Sequence, residues 1–192
     1  HVGGKSYGVD VLVPNSYVGK GENLTTDDLR AMIPQEHREF RADVLEKHDI
    51  EANDLRSDAD SQRTEQNSNQ VLGAGLDGAK EVLEVAFSHP IGLVANALGV
   101  PPKWMLDMGK EHNVPVAALI GAKQHAVKQV EAGVDIIVVS GTEGGGHCGS
   151  VSTMVLVPEV RRALKPYGDV PILAAGGICT GEQMAGVMAM GA

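Results

Sequence analysis

The stretch Val134–Ser150, VDIIVVSGTEGGGHCGS, decides how this chain is read. An apolar run, filled by Val and Ile, ends abruptly in a glycine-rich turn that holds one histidine, His147. A run without polar alternation reads as a fully buried strand of a parallel sheet. Further on, Val170–Gly177 (VPILAAGG) repeats the pattern and ends in a double glycine. Each run delivers a glycine loop to the carboxyl end of a strand, where α/β proteins place their ligands. Two such loops, one carrying an ionisable group, point to a phosphate-bearing cofactor with a base beside it.

Across the rest of the chain, apolar runs lie at Tyr7–Val13, Leu83–Ser88, Val114–Ile120, Val134–Ser140 and Val170–Ala175. The spacing predicts helices over Pro101–His112, Lys123–Glu131, Pro158–Lys165 and Gly181–Met190. Pro101 and Pro158 suit a first helical turn, where the missing N–H is no loss. Gly133 is placed as a C-cap, and Thr180 with Gln183 as a capping box. Strand and helix alternate as in βαβ units, which predicts a parallel sheet with right-handed crossovers. The segment 20–70 breaks this rhythm. It holds over half of the acidic residues and reads as a polar, partly helical insertion. Thr25–Met32 and Pro34–His48 read as short amphipathic helices, the second with Phe40, Val44 and Leu45 on one side. Asn53–Asn69 reads as a polar loop. A solvated surface insertion and a lid over the substrate side are both open readings.

Composition narrows the function classes. A chain of 192 residues is one domain's worth, so 1–192 is read as a single domain with its insertion. A formal charge of −9 argues against nucleic acid or an anionic membrane surface as partner. No apolar stretch is long enough to span a bilayer, and the start lacks a signal-peptide pattern. The two cysteines, Cys148 and Cys179, suit a reducing cytoplasm better than a disulfide scaffold. The histidines are scattered without ligand spacing, so no metal site is expected. The chain opens at His1 and stops just after a helix-like segment, which reads as a fragment.

Each candidate site residue has a plain reading beside the functional one. Gly144, Gly145 and Gly146 let the backbone approach a ligand, though glycine triplets also occur in ordinary turns. A lone histidine is more often structural than catalytic, but a strand's carboxyl end beside a glycine cradle favours His147 as general base or acid. Cys148 next to it is a poor nucleophile candidate, because neighbours in extended chain point apart. Gly176 and Gly177 are placed to give backbone N–H groups to a phosphate, helped by the helix that follows. No GxGxxG follows a strand, so a dinucleotide fingerprint is not supported. Ser140 either touches a ligand or caps the turn. Asp10, inside an apolar strand, must either face solvent and ligand or be paired with a donor.

Four segments, YGVDVLVP (7–14), AFSHPIG (86–92), AGVDIIVVSGTEGGGHCG (132–149) and PILAAGGICTGEQMAGVMAMGA (171–192), resemble the nitronate monooxygenase family. The resemblance implies an α/β fold, an FMN-dependent (β/α)8 TIM barrel. It covers what look like strands three to seven, with two strands before and one after missing. It matches His147 to the family's catalytic histidine and Gly176 and Gly177 to the FMN-phosphate loop. It places Asp10, Ser140, Gly145 and Gly146 beside the cofactor. Asp10 stands where many members have asparagine, Ser140 where they often have glutamine, and Gly144 where alanine is usual. An incomplete barrel keeps open sheet edges, so the isolated piece is expected to be poorly stable and to bind FMN weakly.

The activity implied is oxidation of alkyl nitronates by FMN and molecular oxygen to a carbonyl compound and nitrite. A second reading is an FMN-dependent reductase of an enoyl or acyl thioester, or of a quinone, fed by NAD(P)H. A third is an inactive partial barrel that only binds a phosphate ligand. The partners expected are a small-molecule substrate with oxygen or NAD(P)H, and at most a second copy of the chain in a homodimer.

Overall fold

The structure is a computed structural model that describes residues 3–13, 28, 31–50 and 76–192. The chain falls into two compact units, His1–Asn15 with Ala79–Ala192, and Ser16–Gly78. The first unit carries a parallel sheet in the order β1-β2-β3-β4-β5. Its strands are β1 (Gly8–Val11), β2 (Leu93–Asn96), β3 (Val116–Ile120), β4 (Ile136–Ser140) and β5 (Ile172–Ala175). Sequential order with every neighbour parallel is the signature of repeated right-handed βα units.

The described helices are α1 (Gln35–Lys47), α2 (Leu76–Phe87), α3 (Lys103–His112), α4 (Lys123–Ala132), α5 (Thr153–Leu164) and α6 (Gly181–Ala189), and Lys165–Tyr167 adds one 3-10 turn. Their ends follow local chemistry. Asn113 (φ 55°) and Gly133 (φ 98°) close α3 and α4 in the left-handed conformation. Thr180 and Gln183 form the expected capping box on α6. Helix α1, in the second unit, buries none of its residues, and Phe40 and Val44 are exposed. Most of Thr25–Met32 and all of Asn53–Asn69 lie outside the described residues. No helix among the described residues is long and apolar enough to cross a membrane.

Three expectations are corrected. Leu83–Ser88 is not a strand: through Phe87 it is the second half of α2, with Leu83 and Ala86 buried and Val82 and Val85 exposed. That spacing of three is a helix's, and the short run did not reveal it. The strand that pairs with β1 is instead β2, four residues long and flanked by Pro90 and Gly99. Second, α5 begins at Thr153, five residues before Pro158. Leu156, Val157, Val160 and Leu164 bury one stripe, and their packing outweighs the hydrogen bond that Pro158 cannot donate. Third, β4 and β5 are not buried on both faces, though β3 nearly is. β4 alternates half-buried and buried residues, and Leu173 on β5 is exposed.

Helices α2 to α5 cover one face of the sheet. Val94, Val116, Ala118, Ile120, Ile137, Val139 and Ile172 pack there against Leu83, Met105, Ala126, Leu156, Val160 and Leu164. Asp135 ties the turn before β4 to the start of β3, its Oδ2 accepting from the Val116 amide at 2.8 Å. The opposite face, with Leu119, Val138 and Leu173 in one register row, carries Ser140 to its upper end.

Candidate functional site

The carboxyl ends of β2, β3 and β4 open into a cavity of about 720 Å³. Ser140, Gly145 and His147 line it, with Leu98 and Ile120 among its apolar walls. The volume lies within the range of small-molecule and cofactor pockets, roughly 300–1,000 Å³. His147 is exposed, and its ring has no partner among the described residues. A ring so placed is free to take or give a proton at a bound ligand.

The histidine turn is held by two close approaches. A Cβ on Gly141 would collide with the backbone of Ser152 and Thr153, and one on Gly149 with the Gly121 carbonyl. The β4 turn therefore lies directly on the start of α5 and on the turn after β3. Thr153, which is buried, is the junction. Its hydroxyl accepts from the Gly141 amide at 3.2 Å and lies 3.0 Å from the Gly176 carbonyl oxygen. The Glu143 carboxylate accepts from the Thr153 amide at 2.8 Å and from the Thr153 hydroxyl at 3.0 Å. The amide at the start of α5 holds the Glu143 carboxyl below its ordinary value.

Gly176 (φ 90°) and Gly177 (φ 73°) turn the chain after β5 in a conformation that side chains rarely adopt. They do not line the cavity, but they meet the histidine turn. A Cβ on Gly176 would lie 3.1 Å from the Ser140 hydroxyl and 3.0 Å from the Gly144 amide; one on Gly177 would meet the Glu143 Cβ at 2.7 Å. Ser140 thus stands between the two glycine loops. A Cβ on Gly144 would lie 2.6 Å from its hydroxyl, which accounts for glycine at that position. Gly146 (φ 73°) makes the bend just before His147.

Asp10 is set apart. It pairs in register with Ala95, in a row that continues through Ala117 to Ile136, four residues short of Ser140 on β4. The side chain is exposed, with no side-chain partner among the described residues, and its carboxyl takes a hydrogen bond from the Val11 amide. Partial burial raises its carboxyl above the ordinary value, offset in part by the Val11 amide.

Four residues of the site carried no sequence signal read above: Asn96, Gln129, Glu143 and Thr153. Asn96 is buried, accepts from the Val13 amide at 2.9 Å and donates to the Leu98 and Gly99 carbonyls at 3.1 Å. Gln129, also buried, donates to the same Gly99 carbonyl at 3.1 Å. Together they shape the 97–100 wall of the cavity. A polar residue at the end of an apolar Leu-Val-Ala run is the signal that could have found Asn96, since a buried amide must find partners.

Residues 25–192 match the family model for nitronate monooxygenase. A Mycobacterium tuberculosis protein named as a monooxygenase is 46% identical over all of this chain and 49% of its own length. An octahydroindene-carboxyl-CoA dehydrogenase of Rhodococcus jostii is 39% identical over 63% of this chain and 33% of its own. In fold, the chain is similar to nitroalkane oxidase from Streptomyces ansochromogenes, with a TM-score of 0.67 at 24% identity, covering 98% of this chain and 48% of that one. The chain spans about half the length of the relatives it covers most fully. Its five parallel βα units are part of a (β/α)8 barrel. The match of the family model over most of the chain and the identity along its whole length agree: the chain belongs to the nitronate monooxygenase family.

Proposed function

We propose that the protein to which this chain belongs is an FMN-dependent oxidoreductase that oxidises alkyl nitronates with molecular oxygen. The observation that carries this reading is the exposed, unpartnered His147 ring on the wall of a cavity shared with Ser140 and Gly145. The residues present fit a flavin. Leu98, Ile120 and Leu119 offer an apolar wall for a ring system, and the Gly176–Gly177 turn has no side chain to shield its amides from a phosphate. When bound, FMN would supply the electron transfer. His147 would take the α-proton of a neutral nitroalkane, or stand charged beside the nitronate anion. Ser140 would orient the ligand from the strand end.

A second reading is favoured by the CoA-ester dehydrogenase among the relatives. In it, His147 would hydrogen-bond a thioester or quinone carbonyl, and NAD(P)H would provide the hydride. The two are separated by an anaerobic absorption spectrum of the flavin-loaded, full-length protein. Bleaching by an alkyl nitronate, with nitrite formed on admitting air, supports the monooxygenase. Bleaching by NAD(P)H alone, with no nitrite from any nitroalkane, replaces it with the reductase.

A further inference from the structure

The cavity wall of this strongly acidic chain carries no carboxylate among the described residues. The chain's formal charge is −9, yet the lining holds His125, Lys128 and His147 and no Asp or Glu. His125, Lys128 and Gln129 come from one face of α4, at spacings of three and four residues. The neighbouring cation, Lys123, is committed to Glu159 at 3.3 Å. Lys128 has no partner among the described residues.

Gln129 adds an independent sign. The residue is 3% exposed, and its Oε1 is the one buried side-chain polar atom without a partner among the described residues. The amide cannot simply turn over, because its Nε2 donates to the Gly99 carbonyl at 3.1 Å, and reversal would set two oxygens face to face. A buried acceptor left unsatisfied on a cavity wall calls for a donor from elsewhere. This arm follows β3, two strands away from β5 and its Gly176–Gly177 turn. It is therefore distinct from the loop proposed for the cofactor's phosphate.

We infer that the α4 arm of this cavity is a subsite for the phosphate-bearing tail of a substrate or hydride donor. Lys128 pairs with the phosphate, and Gln129 Oε1 accepts a hydrogen bond from an N–H or O–H group of the same tail. The inference rests on the cavity being the reaction site and on the second reading above, since an alkyl nitronate carries no phosphate. An acyl-CoA ester and a nicotinamide dinucleotide share this chemistry, a pyrophosphate beside a base and a sugar that donate hydrogen bonds.

The test uses the full-length, flavin-loaded protein and inorganic pyrophosphate as probe, with binding measured by calorimetry at low and high salt. Binding should weaken with salt, fall about tenfold or more in Lys128→Glu, and stay within about threefold in Lys128→Arg. Displacement of pyrophosphate by coenzyme A or by NADPH identifies the source of the tail. Equal affinity in wild type and Lys128→Glu, or no pyrophosphate binding by the wild type, overturns the subsite. His147→Ala separates the two claims: lost turnover with pyrophosphate binding intact supports both. Lys128-dependent binding in a protein that forms no nitrite and consumes no NAD(P)H keeps the subsite and sinks the activity.

Discussion

The Glu143 carboxylate accepts the Thr153 backbone amide at 2.8 Å, and this bond fastens the histidine turn to the first residue of α5. Glu143 lies four residues before His147, and Thr153 six after it, so the bond closes the loop that carries the ring. A carboxylate at a helix N-terminus is favoured in its charged form.

That bond makes the loop's stability depend on pH in a defined direction. The Thr153 amide depresses the Glu143 carboxyl below 4.5, its unperturbed value. A depressed carboxyl contributes stability above the unfolded-state value and loses it as pH falls through the folded one. Thermal melts of full-length wild type and Glu143→Gln should therefore differ near neutrality and converge below pH 4.5. A constant gap across that range would show that the charge is irrelevant.

Thr153→Val keeps the shape of the side chain and removes its hydroxyl. The buried Gly141 amide then loses its acceptor, at a cost of about 1–3 kcal/mol. Denaturant unfolding should show this loss, and Thr153→Ser should recover most of it. A neutral Thr153→Val would mean that the hydroxyl does not join the strand ends.

Gly177→Ala meets two obstacles, the positive φ and the Glu143 Cβ at 2.7 Å. The backbone penalty alone is about 1–2 kcal/mol. In a Glu143→Gly background, which already lacks the Thr153 bond, Gly177→Ala should lower the melting temperature less than in wild type, but by no less than the backbone penalty. No cost of Gly177→Ala in that background would locate all of the strain in the side-chain contact. Flavin content measured in the same variants should fall with Gly177→Ala if this turn holds the phosphate.

His147→Ala should lower turnover of neutral nitroalkanes by about 10²–10⁴-fold, the usual worth of a positioned general base. Preformed nitronates need no proton removed, and their turnover should fall much less. Equal losses on both substrates would assign the ring to holding the ligand rather than moving a proton.

The candidate site residues and their loops are legible in the sequence because they are local. IIVVS (136–140) followed by GTEGGGH (141–147) reads as a strand ending in a glycine turn without any knowledge of its packing. Thr180 with Gln183 likewise announces its helix within four residues. The meeting of Ser140, Gly144 and Gly176 was implied only as two neighbouring loops. Leu83–Ser88 was misread because six apolar-rich residues fit either period until their burial is known. β2 was missed because its four residues draw their stability from pairing with β1 and β3 rather than from their own pattern.

Side-chain type and short-range backbone preference were enough to set the alternation of strand and helix from β3 onward, the position of His147 after a strand and the two glycine turns. Folding in three dimensions supplied the rest. It set Thr153 under the Gly141 amide, put Asp10 in register with Ala95, and brought His125, Lys128 and Gln129 to the cavity that His147 lines. Those relationships join residues far apart in the chain through strand register and helix packing, and no local propensity encodes the distance between them.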